Sequence, residues 1–263
     1  MDLGIKGKNA IVCASSKGLG RASAEGLAAE GVNLVICARG KEALVEAAES
    51  IRAAHDVRVV PVTADVSVEQ DRERIVSTAI ERLGGVDILV NNAGGPPAGG
   101  FGDFDLEEYR KGLELNLLSA VDMIRRTTPL MEEAGWGRIV NIASIAVKQP
   151  IPNLILSNTA RTGLIGFAKT AATELAPKGI LINNVCPGTI FTDRIRELSG
   201  VSSPDEDAGT DTMIGEMVSR IPLGRMGRPE ELAALVVFLC SERVGYITGA
   251  TIQVDGGMFS GLM

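Results

Sequence analysis

Short apolar runs alternate with amphipathic stretches from Lys8 to Val90. The runs are residues 10–13, 33–37, 57–62 and 86–90, and between them residues 18–30, 41–54 and 67–83 repeat apolar positions every three to four residues. Runs without strict polar alternation, separated by helix-period segments, predict a parallel sheet covered on both faces. The rhythm continues with a long helix over 105–133, a strand at 137–142, a helix over 155–175, a strand at 180–185, a helix over 229–240 and a last strand at 251–254. Seven strands joined by helical crossovers make a Rossmann-type, doubly wound α/β fold in a single domain, 1–263. Ligands of such sheets sit at the carboxyl ends of the strands, so functional residues should follow strands. One segment breaks the pattern: residues 189–226 are rich in Gly, Ser, Pro and Asp, and their place after a strand predicts a substrate lid.

Composition narrows the partners. A net charge of -7 argues against nucleic acid, whose binding rests on neutralising phosphates with Lys and Arg. No run of about 18 apolar residues is present, which excludes a membrane-spanning helix. The first residues carry charges where a signal peptide needs an apolar stretch, so a cytoplasmic location is expected. Cys13, Cys37, Cys186 and Cys240 are scattered without a paired spacing and read as reduced core residues. A single histidine, His55, gives no basis for a metal site.

The chemistry begins after the first strand, where the chain reads Ala14-Ser15-Ser16-Lys17-Gly18-Leu19-Gly20 and enters a helix. Such a turn lets backbone N–H groups approach a pyrophosphate at the helix N-terminus. At the end of the second strand stands Arg39 rather than a carboxylate. An acidic residue there would bind the ribose diol of NAD, whereas a cation favours the 2'-phosphate of NADP. Arg39 with Lys17 therefore predicts NADP(H), the alternative being that both are solvated surface charges.

Together with Asn91-Asn92-Ala93-Gly94 after the fourth strand, these residues resemble the short-chain dehydrogenase/reductase family, in its 3-oxoacyl-carrier-protein reductase-like subgroup. The resemblance spans residues 5–258 and takes in Asp65-Val66, Asn116, Ser144, Pro187-Gly188, Thr192, Gly227-Arg228-Pro229-Glu230 and Asp255-Gly256-Gly257. It implies adenine contacts from Asp65 and Val66, ribose and sheet contacts from Asn92, Ala93 and Gly94, and nicotinamide contacts from the stretch Pro187, Gly188, Ile190 and Thr192. It also implies a homo-oligomer, tetramer or dimer, built through the helices over 105–133 and 155–175. The departures are Cys13-Ala14 for the usual Thr-Gly, and Ser157 and Arg161 where the family carries its tyrosine and lysine.

Hydride delivery to a carbonyl leaves an alkoxide that needs a proton donor. A serine ionises far less readily than a phenol, and an arginine stays protonated, so neither residue replaces the tyrosine directly. Ser144 and Ser157 can still donate hydrogen bonds to an oxyanion, Arg161 can supply positive potential and also hold the nicotinamide ribose, and the resemblance gives Asn116 a proton-supplying water. Lys148 is a further candidate acid in the loop after Ser144. Ile145, Val147, Ile151, Leu154 and Met213 are candidates for an apolar substrate pocket. Two functions remain open: a reductase of activated small-molecule acceptors, such as a carbonyl, enone, imine or quinone, with an altered proton route, or an inactive NADP(H)-binding sensor or assembly partner.

Overall fold

The computed structural model describes residues 1–192 and 213–262, with the side chains of Met213 and Ile214 left out. Seven strands form one parallel sheet in the order β3-β2-β1-β4-β5-β6-β7. They are β1 (Asn9–Val12), β2 (Asn33–Ala38), β3 (Val59–Thr63), β4 (Ile88–Asn91), β5 (Gly137–Ile142), β6 (Ile180–Pro187) and β7 (Thr251–Val254). The order reverses between β1 and β4, which leaves a crevice beyond their carboxyl ends.

Successive side chains of a strand face opposite sides, and here both sides are dry. Ala10 and Val12 face one core with Leu34 and Ile36, while Ile11 and Cys13 face the other with Val35 and Cys37. The first core is closed by helices α1 (Gly18–Ala29), α2 (Lys41–Ala54) and, near the C-terminus, α8 (Pro229–Leu239). The second is closed by α3 (Glu69–Leu83), α5 (Ser119–Ala134) and α6 (Ile155–Leu175). Each fully buried Ile or Leu in these layers contributes about 1.5–3 kcal/mol of transfer free energy. The four cysteines are buried and unbridged.

The helix expected over 105–133 runs unbroken from Leu106 to Ala134, with one wider turn inside it that divides it into α4 (Leu106–Leu113) and α5. Asp105 caps α4 by accepting the N–H groups of Glu107 and Glu108, and Glu108 returns the bond to the Asp105 N–H. A π-helical turn over Glu114–Leu118 then leads into α5. It carries Asn116, and such turns are frequent at functional sites. Of the expected lid over 189–226, residues 193–212 lie outside the described residues. In the remainder a short helix α7 covers Met213–Ser219, and Ile190 bridges to Gly227 in parallel fashion. No helix among the described residues is long and apolar enough to cross a membrane.

Candidate active site

Two groups of residues meet at the carboxyl edge of the sheet. The first lines a cleft of about 630 Å³ and includes Ala14, Ser16, Lys17, Arg39, Asp65, Val66, Ala93 and Gly94. Its floor is the turn between β1 and α1. Gly20 packs so closely that a methyl group in its place would meet the Ala14 carbonyl and the Asn92 amide, at 2.8 Å from Nδ2. Asn92 Nδ2 donates to that same carbonyl at 3.2 Å, clamping the turn from β4. Ser15 is fully buried: its Oγ donates to the Val12 carbonyl and accepts the Cys37 N–H, so it builds the turn from inside and does not face the cleft. Leu19 likewise packs on the core, while Lys17 is exposed at the helix cap.

Arg39 is exposed and stands 4.0 Å from Asp65. Burial pushes the Asp65 carboxyl up, but hydrogen bonds from the Ser67 N–H and hydroxyl, with the charge of Arg39, outweigh it and hold Asp65 below its ordinary range. On the far side, Thr192 lies over Gly18, and Gly188 donates its N–H to Val254. Pro187 ends β6, whereas Ile190 is buried against Gly227.

The second group is centred on α6. Ser157 and Arg161 are four residues apart, hence on one face, and both are buried. Arg161 Nε donates to Ser157 Oγ at 3.2 Å. Its Nη1 donates to the carbonyls of Ile142 and Ala143 at 3.1 and 2.9 Å, and its Nη2 to Ala93 at 3.2 Å. These bonds use four of the five guanidinium N–H groups and tie α6 to the ends of β4 and β5. Burial without a carboxylate partner lowers the Arg161 guanidinium to about 10, which still leaves it charged at neutral pH. Ser157 accepts from Arg161, so its own proton is free to be donated.

Ser144 follows β5 one residue after Ala143, and its Oγ accepts the Ala146 N–H at 3.1 Å, opening a short 3-10 turn over Ile145–Val147. Its hydroxyl proton is therefore also available. Lys148 comes next, half-buried, and together with Arg161 it acts on the Cys186 thiol, which burial nonetheless pushes up to about 11. Asn116 is buried on the π-helical turn, where its Nδ2 donates to the Gly94 carbonyl at 3.0 Å. Its Oδ1 is the one buried side-chain polar atom without a partner among the described residues. It borders a chamber of about 20 Å³ shared with Asn92, Ala93, Ser119 and Arg161. That is room for one water, the ordinary partner of such an orphan.

The structure thus gathers Ser157, Arg161, Asn116 and the strand-end residues Asn92–Gly94 into one site, with Ser144 and Lys148 along its edge. Sequence reasoning passed over Arg72. This residue is 6% exposed on α3 and donates to Asp122 at 2.6 Å, to Glu114 at 2.8 Å and to the Val66 carbonyl at 2.7 Å. It joins the cleft loop at Val66 to the turn that carries Asn116. Nothing in its local pattern, a polar position on an amphipathic helix, marks it out.

Residues 13–259 match the family model described as Enoyl-(Acyl carrier protein) reductase. The chain is 36% identical over 259 residues to the 3-oxoacyl-[acyl-carrier-protein] reductase of Aquifex aeolicus, covering 98% of this chain and 100% of the relative. It is 37% identical over 251 residues to Dehydrogenase/reductase SDR family member 4 of Homo sapiens, covering 95% and 87%. Among solved structures, L-sorbose reductase from Gluconobacter frateurii, complexed with NADPH and L-sorbose, superposes with a TM-score of 0.92 at 37% identity over 100% of both chains. YwfH, an NADPH-dependent reductase involved in bacilysin biosynthesis, does so with a TM-score of 0.90 at 32% identity, over 97% of this chain and 99% of that one. With the sheet order, the glycine turn and the strand-end asparagines all in place, the chain belongs to the short-chain dehydrogenase/reductase (SDR) family.

Proposed function

We propose that this protein is an NADP(H)-dependent reductase of activated small-molecule acceptors, a carbonyl, enone, imine or quinone, in which Ser157 and Arg161 stand where the family has its tyrosine and lysine. The observation that carries the reading is the 3.2 Å bond from Arg161 to Ser157, held at the ends of β4 and β5 beside Ser144. The cleft suits a dinucleotide: Gly20 and Asn92 keep its floor open and rigid, and Lys17 and Arg39 offer cations for a 2'-phosphate. The NADPH of sorbose reductase and the NADPH dependence of YwfH support the same choice.

When bound, the dinucleotide supplies the hydride. The protein's task is the charge that gathers on the acceptor. Ser144 and Ser157 each hold a free hydroxyl proton for a developing oxyanion, and one such donor contributes about 3–4 kcal/mol to transition-state stabilisation. Arg161 adds a fixed positive field; being charged at neutral pH, it is no proton donor. The remaining Nη2 hydrogen is the only one left for a ribose hydroxyl. Protons come from water held by Asn116 or from Lys148. An acceptor whose product anion is already stabilised, such as an enolate, makes the least demand on this set.

A second reading, a nucleotide-binding sensor without turnover, draws on the commitment of the Arg161 fork to backbone carbonyls and on the absence of a phenol: Tyr246 is fully exposed and Tyr109 lies on α4. Titration with NADPH and NADH tests the cofactor. NADPH should bind at least about tenfold more tightly, and Arg39→Asp should erase that preference, as expected for losing a charge-assisted phosphate contact. Equal affinities would overturn the cofactor choice. NADPH binding without oxidation across a screen of carbonyls, enones, imines and quinones would favour the sensor.

A further inference from the structure

A separate cavity of about 400 Å³ is lined by Ile145, the residue after Ser144, and by Thr189, two residues beyond the end of β6. Ile151, Met217, Met258 and Phe259 form an apolar wall, and Asp255 fixes one side of it by accepting the Phe259 N–H at 2.9 Å. Among the described residues the polar members of the lining are few, and Arg220 is the only charged one. Among the described residues no Asp or Glu lines the cavity. Arg220 is exposed and makes no hydrogen bond or ion pair among the described residues. An arginine fork left open at the mouth of an apolar cavity is matched to a planar anion on a greasy body.

We propose that the substrate is an amphipathic carboxylate: its apolar part fills this cavity, Arg220 receives its carboxylate, and its reducible group extends past Ile145 to Ser144 and Ser157. The inference rests on the reductase reading of the site, yet it fails or stands on its own measurement. Two unreactive probes of equal bulk, 4-phenylbutyrate and 4-phenylbutan-1-ol, are titrated calorimetrically into the full chain with NADP+ present at low salt. The carboxylate should bind about tenfold more tightly than the alcohol, the worth of one charge-assisted contact. Arg220→Gln should remove that advantage and leave the alcohol unchanged, whereas Arg220→Lys should keep part of it. Thermal melts check that the variants are folded, which the exposure of Arg220 favours. Equal affinities, binding of neither probe, or an Arg220→Gln protein that still prefers the carboxylate would each overturn the proposal. NADPH binding measured on the same samples separates the two readings: dinucleotide binding with no carboxylate preference sinks only the substrate class, and carboxylate preference without dinucleotide binding sinks the reductase.

Discussion

Arg161 ties the ends of β4 and β5 to α6, and in the proposed mechanism it also supplies positive charge, two roles that a mutational test must keep apart. Its removal would orphan the carbonyls of Ala93, Ile142 and Ala143, each at about 1–3 kcal/mol, so Arg161→Ala reports stability as much as chemistry. Ser157→Ala deletes a single hydroxyl whose lost partner, one arginine N–H, keeps its neighbours. We expect turnover to fall about 10²-fold, the effect of losing one oxyanion donor, with a change in thermal midpoint of no more than about 4 °C. Unchanged turnover would remove Ser157 from the mechanism. The positions of Ser157 and Arg161 were legible in the sequence, because four-residue spacing on a helix fixes a shared face. The carbonyl partners were not, since they depend on where β4 and β5 end. Ser15 shows the same limit in reverse: the motif places it in the turn, but only the register of β1 against β2 turns its hydroxyl inward.

At the scale of elements, the π-helical turn explains why the stretch over 105–133 reads as one helix. Its apolar spacing is continuous, and the extra residue in the turn is stabilised from outside, by Arg72 on α3 gripping Glu114. Burial works against the charge of Arg72 and of Asp122, yet their mutual hydrogen bonds prevail, raising the first and lowering the second. Arg72→Met should cost about 1–3 kcal/mol in urea unfolding, since it takes one partner from the half-buried Glu114 and Asp122 and a donor from the Val66 carbonyl. Helix α8 offers a pH test. Glu231 accepts hydrogen bonds from Nη1 and Nη2 of Arg225 and from the Arg228 N–H, and these bonds hold its carboxyl at about 2, against an ordinary 4.5. A depressed carboxyl stabilises the fold above its unfolded value and loses that contribution as pH falls toward the folded one. The stability gap between the wild type and Glu231→Gln should therefore be full at pH 6 and shrink below 4.5. A gap independent of pH would contradict the assignment.

Across the whole molecule, the order of strands and helices was readable because the central strands β1, β4, β5 and β6 are almost wholly buried and helices such as α2, α3 and α5 are amphipathic. Boundaries shifted where the run of apolar residues outlasts the ladder or falls short of it: β4 begins at Ile88, not Val86, and β6 runs on to Pro187. Polar ladders were invisible. Asn91, Asn141 and Asn184 sit in register on neighbouring strands, and their amides pass hydrogen bonds from β4 to β5 to β6 at 2.9 Å each and on to Thr251 at 3.2 Å. Of the pocket residues expected from sequence, Ile145 and Ile151 line the cavity beside Arg220, and the side chain of Met213 lies outside the described residues. Assembly remains a proposal from the family. Light scattering should give two or four times the monomer mass of 27.6 kDa, and a monomer would reject it.

Ala14 occupies a left-handed backbone, φ 48°, where a side chain costs about 1–2 kcal/mol. The turn proposed to receive the dinucleotide thus carries backbone strain, and it is clamped by Asn92 and by the buried Ser15. Its amides at Ser16 and Lys17 should trade their hydrogens for deuterium early in the free protein and slowly once nucleotide is added, making this loop a natural gauge of occupancy.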